Sequence, residues 1–164
     1  MNTTLIQSTA LTRAIDYRSL RISSQAFEDG SRIPPDYTCD GANKNPPLRI
    51  GKIPDGVVSL AIVVDDPDAP IGSWSHWLSW NIPVTHTIRE NHQYGEEGLN
   101  DFLENRYDGP CPHAGLHHYH FKVYALDTEF KLPGTTRQHD LEKAMAGHIL
   151  AFGELIGTYS RNAF

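Results

Sequence analysis

The segment GVVSLAIVVDD, residues 56–66, constrains the fold more than any other. In an extended chain Val58, Leu60, Ile62 and Val64 share one face, and Val57, Ala61 and Val63 share the other, because successive strand side chains point to opposite sides. A strand that is apolar on both faces needs cover on both. The segment therefore predicts a central, buried strand with a layer packed against each side. Its end turns abruptly polar, running through Asp65 and Asp66 into the turn-forming sequence Pro67-Asp68-Ala69-Pro70.

Other strands follow from the same alternation. SLRISSQAF (19–27) carries the first strand signal. WSHWLSWNI (74–82) sets Trp74, His76, Leu78, Trp80 and Ile82 in phase, and HHYHFKVYAL (117–126) sets Tyr119, Phe121, Val123 and Ala125 in phase. Pro34-Pro35 and Pro46-Pro47 keep the segment between the first two strands extended and non-helical. Residues 84–108 are polar, acidic and punctuated by glycine, which reads as a long surface excursion within one domain. DLEKAMAGHIL (140–150) has Leu141, Ala144, Met145 and His148 at helical spacing behind Asp140 as N-cap, and GELIGTYSR (153–161) reads as a short closing strand. Residues 1–18 show no period and read as an N-terminal extension, leaving 19–164 as a single domain. Several strands, Gly/Pro-rich turns and one or two short helices near the C-terminus predict a mainly β, antiparallel sandwich.

Fourteen basic and twenty acidic residues give a net charge of -6 with no basic run, which argues against nucleic acid as the partner. Nothing has the length of a membrane span, and the N-terminus lacks the basic and apolar regions of a secretory signal. The expectation is a soluble, cytoplasmic protein without integral membrane association. In that compartment Cys39 and Cys111 are expected as free thiols. A bridge between them would need α-carbons within roughly 7 Å, which spacing alone does not show.

Three polar residues extend the apolar stripes. Asp66 is in phase with Val58 to Val64, His76 with Trp74 and Leu78, and His117 with Tyr119 and Phe121. Each lies near a strand end beside a Pro/Gly-rich loop. If these ends converge, a carboxylate, two imidazoles and the Tyr119 hydroxyl line one pocket, and Gly109 and Gly115 let backbone approach a ligand. The alternative for either histidine alone is a core residue satisfied by a backbone carbonyl, and for DDPDAP an Asp/Pro turn. His118 and His120 fall on the opposite face with Lys122 and are expected to face solvent, with His113 on a loop rim. His113 and His117 have the i, i+4 spacing of a helical zinc pair, but Gly109-Pro110-Cys111-Pro112 and Gly115 oppose a helix there. No metal site and no cofactor are predicted. The chain has no G-x-S-x-G elbow, P-loop or dinucleotide fingerprint, and a Cys111 nucleophile between two prolines has little support.

At these residues the chain resembles the phosphatidylethanolamine-binding protein (PEBP) family, in its short bacterial and archaeal branch often labelled Raf-kinase-inhibitor-like. DGANKNPPL resembles the early D-G-x-N-x-S-P-P-L segment, DPDAP the first family signature, GSWSHW the G-x-W-x-H-W element, and GPCPHAGLHHY the G-P-C-P-P-x-G-x-H-R-Y loop. The resemblance spans about residues 21–161. It implies a PEBP-like β-sandwich and an anion pocket at Asp66, Asp68, His76, Gly109, Pro110, His117 and Tyr119. His113 departs from the family by replacing the second proline of the loop, and with the sequence ending at Phe164 no C-terminal helix like that of the eukaryotic members is expected. The leading expectation is a non-enzymatic module binding a phosphate monoester, a phosphoethanolamine-like headgroup or a similar oxyanion. The alternative is a kinase or protease inhibitor acting through the loops around the pocket. A metal-assisted hydrolase ranks third, and a homodimer stays open.

Overall fold

The computed structural model describes residues 18–161, so the expected N-terminal extension lies outside the described residues except for Arg18, which starts the first strand. The strands are β1 (Arg18–Ser19), β2 (Arg21–Ser23), β3 (Leu48–Gly51), β4 (Ser59–Asp66), β5 (Trp74–Ile82), β6 (Thr87–Ile88), β7 (Glu96–Glu97), β8 (His117–Leu126) and β9 (Ile149–Tyr159), with helix α1 at Gln138–Met145. They form a six-stranded sheet in the order β1-β9-β8-β4-β5-β7 and a three-stranded sheet β2-β3-β6. All pairings are antiparallel except β1 with β9. The mainly β sandwich expected from the sequence is the observed fold.

Strand β4 is buried at all eight positions, for the reason its sequence demands. On one face Leu60, Ile62 and Val64 join Phe121, Val123 and Ala125 of β8 and pack against Ile22, Leu48, Ile50 and Ile88 of the small sheet. On the other, Ala61 and Val63 join Leu78, Trp80 and Tyr124 beneath Leu141 and Met145 of α1. The molecule is thus sheet on sheet with a helix over the second face of the large sheet.

The structure differs from the sequence reading at Lys122, at His120 and at the ends of the helix and the last strand. Lys122 does not face solvent. With the second face covered, its ammonium is buried and donates to Asp65 Oδ2 at 2.8 Å, and Gln138 Nε2 of α1 donates to the same oxygen at 2.8 Å. His120 is half-buried against Glu154, while His118 is exposed as expected. The helix also starts and stops earlier than its apolar spacing suggests. Arg137 is the N-cap and Asp140 sits at N3, accepting from the Arg137 amide at 3.2 Å. At the other end Gly147 adopts φ +83°, a left-handed conformation that glycine enters without steric cost. His148 is therefore outside the helix, and Ile149 already belongs to β9, which runs eleven residues rather than the short closing strand expected.

Cys39 and Cys111 are not free thiols. Their α-carbons are 5.5 Å apart and they form a disulfide across 72 residues of sequence. Among the described residues no helix is long and apolar enough to cross a membrane.

Candidate functional site

The end of β4 and the start of β8 are neighbours, with Val64 opposite Phe121 and Asp65 opposite His120. Carrying the register one step further sets Asp66 beside Tyr119, and the adjoining His117 reaches the same carboxylate. His117 Nδ1 donates to Asp66 Oδ2 at 2.6 Å, and both side chains are largely buried. The remaining oxygen, Oδ1, accepts from the Asp68 amide at 2.8 Å, so the turn after β4 fixes the carboxylate's orientation. His117 Nε2 lies 3.1 Å from the Ala114 carbonyl oxygen. With an acceptor at each nitrogen, the ring is fully paired when both carry hydrogen.

His76 arrives by a different route. Val64 pairs with Trp77 and Asp65 with Ser75, so His76 is the extra residue of a β-bulge. A strict period of two groups His76 with Leu78 and Trp80, yet those two pack under the helix. The bulge turns His76 to the other side, where its ring meets Tyr119 edge-on with centroids 5.3 Å apart. Its Nδ1 lies 2.6 Å from the Asp108 carbonyl. A carbonyl only accepts, so Nδ1 carries the hydrogen, and in the neutral ring Nε2 is an acceptor. Burial holds the His76 pKa below its ordinary value, outweighing the opposing pull of the Asp108 carbonyl and the Asp66 charge. Burial, and then the Asp66 charge, push the Tyr119 pKa far upward, so its hydroxyl stays protonated and can donate.

These four side chains line a cavity of about 380 Å³ whose other walls include Pro70, Trp74, Phe102, Cys111, Pro112 and His113. Trp74 and Phe102 meet edge-on at 5.6 Å, and Phe102 also packs on the edge of His76 at 5.2 Å. The cavity is thus an apolar slot with one polar end.

Three sequence-nominated residues stand outside that lining. Asp68 Oδ2 accepts from the amide of His118 at 2.9 Å and from its ring at 2.7 Å. Burial would raise the Asp68 pKa, but these hydrogen bonds outweigh it and hold it low. Gly109 and Pro110 come just before the lining residues Cys111 and Pro112 and do not line the cavity themselves. The Gly109 amide donates to Asn43 Oδ1 at 2.8 Å, and a Cβ at Gly109 would sit 2.1 Å from the Tyr37 carbonyl oxygen, so only glycine fits. The Pro110 carbonyl accepts from the Cys39 amide at 3.1 Å, beside the disulfide. Among the described residues no group of three or more His, Cys, Asp or Glu side chains is placed to hold a metal ion.

Sequence reasoning passed over Asn100 and Asp108, which hold His76 in place from within the 84–108 excursion. A buried asparagine in a polar segment carries no periodic signal. Trp74 and Phe102 had the weaker signal of large apolar residues beside a polar strand end.

Across residues 23–160 the sequence matches the phosphatidylethanolamine-binding protein family. The chain belongs to that family. A UPF0098 protein of Pyrococcus horikoshii is 50% identical over 155 residues, spanning 87% of this chain and 77% of the relative. One from Pyrococcus abyssi is 51% identical over 150 residues, spanning 84% of each. Of solved structures, a PEBP homolog from Chlamydia trachomatis aligns with a TM-score of 0.84 at 37% identity, covering 88% of this chain and 99% of that one. YbcL of E. coli, described as a member of the mammalian PEBP family, aligns at 0.80 with 26% identity, covering 87% and 98%.

Proposed function

We propose that this PEBP-family chain is a non-enzymatic binding module whose cavity takes a phosphate monoester or a phosphoethanolamine-like headgroup. The observation that carries the reading is the joining of Asp66, His117, His76 and Tyr119 at the polar end of one cavity, where the only sulfur, that of Cys111, is tied up in a disulfide. Donors and a carboxylate that orients them are present, and the lining holds no serine, threonine, lysine or free thiol. Asp66 holds the His117 ring so that Nε2 can exchange its bond to the Ala114 carbonyl for one to an anionic oxygen. The Tyr119 hydroxyl supplies a second donor.

His76 adds selectivity. As a neutral ring its Nε2 accepts, so it pairs with the P–OH of a monoester monoanion, or takes up a proton when a dianion arrives. A phosphodiester has no P–OH to offer. The preference for monoesters thus follows from the Nδ1 bond to Asp108.

Titration calorimetry with phosphoethanolamine and with inorganic phosphate tests this on the native chain and on His117→Ala. Loss of a hydrogen bond to a charged ligand is worth about 1.5–3 kcal/mol, or about tenfold to a hundredfold in Kd. The expected result is that loss with the fold retained and no release of phosphate from the ester. Affinity within about twofold of native, together with a stability loss of several kcal/mol, would make His117 a core histidine and overturn the reading.

A second reading, inhibition of a kinase or protease through the surrounding loops, draws on exposed Leu103 and Leu116, which adjoin the lining residues Phe102 and His117 in sequence without lining the cavity. It predicts that substituting these two abolishes inhibition while phosphate binding persists.

A further inference from the structure

The excursion at 84–108 contains a fully buried asparagine. Asn100 Oδ1 accepts from the amides of Phe102 at 2.9 Å and Glu104 at 3.0 Å. Its Nδ2 donates to the carbonyls of His76 at 3.1 Å and Arg106 at 2.9 Å, and to Asp108 Oδ2 at 2.9 Å. Every hydrogen-bonding position of this side chain is used. A buried amide costs free energy unless paired, so full pairing at one point ties the folded loop strongly to that point.

That point is His76. Its carbonyl accepts from the Asp108 amide at 3.0 Å as well as from Asn100, and its ring donates to the Asp108 carbonyl at 2.6 Å. The bulge leaves residue 76 without a ladder partner on β4, and the 100–108 loop supplies partners in place of the ladder. The Asp108 side chain is held in turn by Asn100, by Arg106 Nε at 3.2 Å and by Asn43 Nδ2 at 3.4 Å.

We propose that Asn100 and Asp108 are positioning residues for the binding site, locking His76 in the tautomer with hydrogen on Nδ1 so that Nε2 is the nitrogen presented to the cavity. Neither residue lines the cavity. Both act through the imidazole. The same loop carries Phe102 against the edge of that ring, so one side chain, Asn100, sets both the tautomer and the apolar wall beside it. The consequence for ligand choice rests on the anion-binding reading, whereas the tautomer lock does not.

Nitrogen-detected NMR of the His76 ring separates the two. In the native chain the Nδ1 hydrogen is expected to be present and protected from exchange. Asn100→Ser and Asp108→Asn should mix the tautomers or expose that hydrogen, and Asn100→Ser should weaken inorganic phosphate binding about tenfold. On a His76→Ala background Asn100→Ser should weaken it no further, since its effect passes through the missing ring. An Nε2–H tautomer or rapid Nδ1 exchange in the native chain overturns the inference even if neither variant folds. So does an unchanged ring spectrum in a folded Asn100→Ser variant, or additive losses in the double variant. If the native chain fails to bind phosphate or phosphoethanolamine while the ring spectra behave as expected, the anion-binding reading fails and the positioning role stands.

Discussion

Replacing both cysteines by serine tests how the cavity wall is anchored. The Cys39–Cys111 bond closes a loop with a sequence separation of 72. For a loop of that length the chain-entropy argument gives a loss of about 4 kcal/mol at 25 °C when the cross-link is removed, because the unfolded ensemble regains the freedom the bridge withheld. For a domain of this size each kcal/mol moves Tm by roughly 2–4 °C, so the double variant should melt about 8–16 °C lower. The native arrangement should survive, since three other bonds hold the same loops together. Cys39 N donates to the Pro110 carbonyl at 3.1 Å, Gly109 N to Asn43 Oδ1 at 2.8 Å, and Tyr107 Oη to the Tyr37 carbonyl at 2.7 Å. Calorimetric unfolding of both proteins measures the shift, and urea titration should show a larger m-value for the variant, whose unfolded chain exposes more surface. A Tm change under about 2 °C with an unchanged m-value would refute the entropic reasoning. Two titratable thiols in unreduced, denatured native protein would refute the bridge itself.

Two further outcomes follow from buried charge. Burial lowers the His76 pKa from its ordinary 6.5, so the folded state binds fewer protons than the unfolded state. His76's contribution to stability is therefore present above pH 6.5 and lost as pH falls through its lower folded value. Urea midpoints across that window should fall less steeply for His76→Gln, and calorimetry in buffers of different ionisation heat should show proton uptake with phosphate that this variant lacks. Asp65 and Lys122 are buried together, with side chains 3% and 4% exposed. Asp65→Ala should cost about 3–5 kcal/mol by urea unfolding, and adding Lys122→Met should recover part of it by removing a buried charge that has lost its Asp65 hydrogen bond. Equal losses in the single and double variants would show that the pair is not coupled.

How much was legible in the sequence depended on whether a strand kept its period. Strands β4 and β8 alternate without interruption where they meet, so extending their stripes led correctly to Asp66, His117 and Tyr119 at one place. The two-sided apolarity of β4 likewise foretold a layer on each face. It did not foretell that the second layer was the helix, and for that reason Lys122 was expected in solvent. The family resemblance nominated Gly109, Pro110 and Asp68 as pocket residues. The structure leaves all three out of the cavity lining, bonded instead to Asn43, Cys39 and His118.

His76 shows why phase alone is an insufficient argument. Its alternation with Leu78 and Trp80 nominated a residue that does line the cavity, but by incorrect reasoning, since on a regular strand that phase would place the imidazole under the helix, with the sheet between it and Asp66. Only the bulge reverses it, and nothing in WSHWLSWNI marks where the extra residue falls. The bulge frees the His76 carbonyl and ring to be claimed by Asn100 and Asp108, residues 24 and 32 positions away in a segment with no periodic pattern. The disulfide has the same character, being decided by the approach of two irregular loops 72 residues apart. In this protein the regular strands deliver the carboxylate, one imidazole and the phenol. The irregular segments hold the second imidazole in place, so if the cavity binds an anion as proposed, substitutions in the 100–108 loop should alter ligand choice even though Asn100 and Asp108 do not line it.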